Sequence, residues 1–279
     1  MAQVTYVATA NGESQVGTSM TINKPTGTVD GDVMIAYFSS ASTGNTMTTL
    51  AGWTAISQLN TNDQSHFFFK AASSEGSSYT WTHWNANNNA IIGTITTFRN
   101  AHQTSPYTFI TAYDSASDTT ATGSALTPTT SPNALLCMFV ASYYNGTTSI
   151  SGYTIANNNP SWTEAYDISA YDTFSSDNTQ SMAYGLYPYI TTTGTPTATL
   201  ANAGTARVTL LLVQPAGFSF SAPVLAATVA NPSISGSNIG ISAAVLSIAS
   251  TISATFSQGV SAILNIPKSV STWLNLDKS

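Results

Sequence analysis

Apolar and polar positions alternate with a period of two over much of this chain, and twice the alternation gives way to an unbroken apolar run of strand length. The first, Val33-Met34-Ile35-Ala36-Tyr37-Phe38, comes after the turn signal Asp30-Gly31-Asp32. The second, Ala134-Leu135-Leu136-Cys137-Met138-Phe139-Val140-Ala141, comes after Ser131-Pro132-Asn133. Runs this short, bounded by turn residues and without helical spacing, predict strands covered on both faces at the centre of a core. Around them lie alternating segments: residues 3–9 and 16–22 with Asn11-Gly12 as the turn between them, then Trp53 to Leu59, Ser65 to Lys70, Ser78 to Trp84 and Ala90 to Phe98.

The segments downstream of the two runs echo each other in the same order. Gly52-Trp53-Thr54 answers to Ser161-Trp162-Thr163, Gln64-Ser65-His66-Phe67 to Gln180-Ser181-Met182-Ala183, Tyr79-Thr80-Trp81-Thr82 to Thr197-Ala198-Thr199-Leu200, and the segment from Ala90 to Phe98 to that from Ala206 to Val213. This is the pattern of an internal duplication, with repeat one over about residues 1–103 and repeat two over about 104–216. The second repeat begins near Pro106-Tyr107-Thr108-Phe109, and Pro215-Ala216-Gly217 marks the boundary of the body. The predicted fold class is all-β: an antiparallel, jelly-roll-like β-sandwich of two repeats, with a small β-rich C-terminal extension.

Residues 217–279 differ in character. Leu246, Ile248, Ile252 and Phe256 share even positions between serines and threonines, which suits a strand with one buried face. A helix competes, because Ile241, Val245, Ile248 and Ile252 also fit helical steps, but the β-branched content favours the strand. A segment of this size forms a poor core alone, so it is expected to assemble with copies of itself or anchor the chain, with Trp273 and Leu274 as knobs.

Charge changes the picture most. Only 6% of residues are charged, serine, threonine and asparagine supply the polarity, and the net charge is -6. Six scattered basic residues cannot neutralise a run of phosphates, which argues against nucleic acid. The amino terminus lacks a basic leader region and no stretch of about 20 apolar residues marks a membrane span, so neither signal peptide nor membrane is expected. The single cysteine, Cys137, falls inside an apolar run and reads as a buried hydrophobe.

Reactive constellations do not emerge from the spacing. His66, His83 and His102 have no nucleophile motif beside them and no ligand spacing for zinc, and glycine loops for nucleotides are missing. Glu164, Asp167, Asp172 and Asp177 form an acidic cluster without the order of a calcium loop. No catalytic residue, cofactor or metal is therefore expected. Aromatic side chains offer one ligand site: Trp81 with Trp84, or Tyr166 with Tyr171, as a flat platform for glycans.

The motifs Gly31–Phe38, Gly52-Trp53-Thr54, Tyr79-Thr80-Trp81-Thr82, Ile95-Thr96-Thr97-Phe98-Arg99-Asn100 and Asn133-Ala134-Leu135-Leu136 together resemble a β-sandwich domain of tailed-bacteriophage structural proteins, over roughly residues 1–216. The resemblance implies a virion component made in the host cytoplasm, such as a capsid decoration, head-fibre or tail protein. The expected function is non-enzymatic: a homo-oligomer, with a trimer favoured, attached through its C-terminal segment to other virion proteins such as the major capsid protein. The alternative is a lectin-like tail or fibre module for host recognition.

Overall fold

A computed structural model describes residues 2–14, 18–41, 47–61, 64–82, 90–128, 133–144, 146, 148–170 and 177–217. They all fall within one compact unit, Met1–Phe220. The described residues form strands and loops without a helix: β1 (Thr5–Ser14), β2 (Ser19–Asn23), β3 (Val33–Ser40), β4 (Thr54–Leu59), β5 (Gln64–Ala71), β6 (Ser78–Thr82), β7 (Ile91–Arg99), β8 (Tyr107–Thr122), β9 (Ala134–Tyr143), β10 (Ile150–Ile155), β11 (Thr163–Ala170), β12 (Asn178–Tyr187) and β13 (Pro196–Val213). All pairings are antiparallel.

The first half builds a five-stranded sheet in the order β1-β7-β3-β5-β4, with β2-β6 as a separate two-stranded sheet. In the second half β12 and β13 flank β9, β11 lies beyond β12, and β8 and β10 both pair with β13. The two large sheets face each other. Val33, Ile35, Tyr37, Phe67 and Phe98 of the first meet Leu135, Cys137, Phe139, Met182 and Leu211 of the second in one apolar cluster.

The alternation of β3 and β9 explains why both runs are apolar throughout. On β3 the residues between those central ones, Met34, Ala36 and Phe38, point the other way and meet Met20, Ile22, Tyr79 and Trp81 of the β2-β6 sheet. On β9, Leu136, Met138 and Val140 likewise meet Ala121, Leu126, Ile150, Ala198 and Leu200, supplied by the far ends of β8 and β13, the β8–β9 connection and β10. The body is thus a stack of four β-layers with three apolar seams, and β3 and β9 are buried along their whole length. A sandwich of antiparallel sheets is the expected class; the stacking of the two halves is what the sequence pattern left open.

One sequence expectation is corrected. Asn11-Gly12 is not a turn: β1 runs straight through it, with Asn11 opposite Thr94 and Gly12 opposite Gly93. Both glycines serve close approach instead. A Cβ on Gly12 would lie 3.0 Å from the Thr21 carbonyl oxygen, and one on Gly93 2.6 Å from the Phe38 ring and 2.7 Å from the Met20 sulfur. The loop before β3 is fixed by charge. Arg99 donates from Nε and Nη2 to the two Asp32 carboxylate oxygens at 3.0 and 2.9 Å, and Asp32 also accepts from the Val29 amide.

Candidate functional site

The expected glycan platform does not form around Trp81. Its strand alternates, with Tyr79 and Trp81 inward and Ser78, Thr80 and Thr82 outward, and Trp81 is fully buried. Its ring packs edge-on against Phe38 and Trp53 at 5.0 Å from each, and Trp53 in turn stands edge-on to Tyr79 at 5.3 Å. These rings close the outer core of the first half and leave no Trp81 face for a sugar. Tyr166 on β11 is half-buried, and burial pushes its hydroxyl well above the ordinary phenol range. Trp84 and Tyr171 lie outside the described residues, as do Leu246, Ile248, Ile252, Phe256, Trp273 and Leu274. Among the described residues no observation favours the glycan reading.

The polar side chains that do converge lie between the two large sheets. Thr94 of β7 donates to Gln180 Oε1 of β12 at 2.9 Å, and the Tyr166 hydroxyl stands 3.1 Å from Thr94. Gln180 Nε2 donates to Ser39 Oγ at 3.0 Å, and Asn178 Nδ2 donates to both the carbonyl and the hydroxyl of Ser39 at 2.8 Å. Elsewhere along the same interface the Tyr143 hydroxyl donates to the Gln64 carbonyl at 3.2 Å and Arg207 Nη2 to the Thr61 carbonyl at 2.9 Å. Ser39, Thr94, Asn178 and Gln180 are all buried, so each bond is made in a medium where the unpaired group would be costly. This chemistry fastens one half to the other. Sequence reading missed it because serine, threonine and glutamine in a strand look like solvent-facing positions.

The titratable groups divide between core and surface. His66 is buried on β5, and burial, helped by the positive charge of Arg207, lowers its pKa from 6.5 to about 4, so the ring is neutral near pH 7. His102 accepts at Nδ1 from the Ser105 amide at 3.1 Å in the connection between the halves, and His83 lies outside the described residues. Cys137 is fully buried, and burial raises its thiol pKa far out of reach of neutral pH. In the acidic cluster, Asp177 is buried and Glu164 exposed, while Asp172 lies outside the described residues. Asp167 accepts from the Ile150 amide at 3.0 Å, and desolvation, with the charge of Glu164 adding to it, raises its pKa to about 6. Among the described residues no group of three or more His, Cys, Asp or Glu is placed to hold a metal ion.

Among the described residues the large apolar side chains left exposed are Val29 beside the Asp32 loop, Leu186 near the end of β12, and Tyr189 and Ile190 in the β12–β13 connection. Comparison with protein-family models, with curated proteins and with solved structures returned no match.

Proposed function

We propose that this chain is a non-enzymatic structural protein of a bacteriophage virion, a capsid decoration or head-fibre protein that forms a homo-oligomer, with a trimer favoured, and attaches through residues 217–279. The observation that carries the reading is the inward direction of the body's chemically capable groups. Trp53, Trp81, Cys137 and Gln180 are all spent on joining layers, and the result is a block of stacked sheets. A block with a nearly uncharged, serine- and threonine-rich composition and an apolar trailing segment suits a protein that works by shape and adhesion. Several weak tail contacts made at once hold such a block far more firmly than one.

Light scattering coupled to size exclusion tests the reading on the full chain and on a chain ending at Ala216. The expected result is an oligomer for the first and a monomer for the second. Two monomers refute tail-driven assembly. Negative-stain images of virions labelled with an antibody to this chain test the location, and unlabelled particles refute it.

A further inference from the structure

The hydrogen-bond ladders relate the two halves residue by residue. Matching Tyr37 at the centre of β3 with Phe139 at the centre of β9 fixes every neighbouring strand. Tyr37 is opposite Phe67 and Thr94, and Phe139 is opposite Met182 and Thr209, so β5 maps onto β12 and β7 onto β13, with Phe67 on Met182 and not His66 on Met182 as the sequence echo has it. One step further out, Phe98 is opposite Tyr6 and Val213 opposite Tyr107, which maps β1 onto β8. On the other side Phe69 is opposite Thr54 and Tyr184 opposite Thr163, which maps β4 onto β11 and Trp53 onto Trp162. The irregularity between Ala55 and Ser57 then falls on the one between Glu164 and Tyr166.

The same mapping relates contacts across the central interface. Tyr6 stacks on Tyr184 with ring centroids 4.8 Å apart. Its image under the mapping is Tyr107 against Phe69, and these rings do meet, at 5.5 Å. Tyr37 and Phe139 map onto each other and touch at 5.4 Å, as a pair on a two-fold axis must.

We propose that the body is a fused dimer: residues 4–100 and 107–214 are two modules that pair about a pseudo-two-fold axis, and each is a docking partner for the other in trans, including the complementary module of a second copy of this chain. Each module carries its own outer core, closed by β2-β6 in one and by β10 with the ends of β8 and β13 in the other. The central face is left for the partner. The polar contacts there are not symmetric: Ser39 and Thr94 of the first module meet Asn178 and Gln180 of the second, whereas their images are Ala141 and Thr209. Unlike modules are therefore the matched pair. This inference concerns the body alone and stands whether or not the chain serves in a virion.

The test uses the whole folded chain with a protease site inserted between Gln103 and Thr104, both exposed in the connection between the modules. After cleavage, native mass spectrometry is expected to show both pieces in one particle. The thermal midpoint is expected to rise with protein concentration more steeply than that of the uncleaved chain. Cleaved samples with light and heavy isotopes, mixed near the midpoint and cooled, are expected to yield hybrid particles that combine unlike modules from different copies. Pieces that separate in native buffer overturn the proposal. So does a cleaved particle whose midpoint ignores concentration, or one that forms no hybrids.

Discussion

Acidification is expected to weaken the body through His66. In the folded chain the buried ring takes a proton only near pH 4, whereas in the unfolded chain it does so near 6.5. Between those values the unfolded state binds more protons, so stability is complete above pH 6.5 and falls as the pH drops toward 4. At about 1.4 kcal/mol per pH unit the interval between 6.5 and about 4 corresponds to about 3 kcal/mol. That is a large share of the 5–15 kcal/mol typical of a domain. Asp167 acts in the opposite direction: its folded pKa of about 6 lies above the ordinary 3.8, so its ionised form opposes folding and stability is regained as the pH falls through that range. The decisive comparison is therefore made in an Asp167→Asn background. Urea unfolding followed by tryptophan fluorescence at pH 7.5, 6, 5 and 4.5 is expected to show the midpoint dropping steeply with His66 present and much less with His66→Gln. Equal slopes in the two proteins refute the assignment of the acid sensitivity to this ring.

Gln180→Ala removes one partner each of Thr94 and Ser39 and is expected to cost roughly 1–3 kcal/mol in urea unfolding, with Gln180→Glu no rescue because it adds a buried charge. Gln64 is buried with neither side-chain amide atom bonded, so Gln64→Leu is expected to leave the thermal midpoint unchanged or raise it; a fall of several degrees counts against the description of that site. Asp32→Asn keeps the shape of the loop before β3 but loses the charge that Arg99 grips, and a lowered urea midpoint is expected in the same assay, with the difference from the parent shrinking in high salt.

The two central strands were legible because burial on both faces leaves no place for a polar residue, and six consecutive apolar side chains at Val33–Phe38 state that directly. The start of β8 at Tyr107 was legible from the resumed alternation. The full extents of β8 and β13 were not. Each passes from a large sheet into the outer cover of its half, and the crossing at Gly204, opposite Asp118, carries no local signal beyond a small residue. Trp81 illustrates a second limit. An aromatic residue on an alternating strand fits a core and an exposed platform equally well, and only the arrival of β2 over β3 decides between them. The polar seam at Ser39, Thr94 and Gln180 shows a third, since a hydroxyl or amide is buried only where a distant strand brings its partner.

The rim of the stack has a further consequence for how copies of this protein meet. β1, β4 and β11, which among the described residues each pair along one side only, are all interrupted, between Tyr6 and Ala8, Ala55 and Ser57, and Glu164 and Tyr166. Those three kinked edges offer no straight rail for a foreign backbone to zip along, whereas the β2-β6 pair keeps an unbroken register. At those edges, crowding many copies together at high local density then disfavours strand-by-strand growth, even for a protein with so little charge to keep its copies apart.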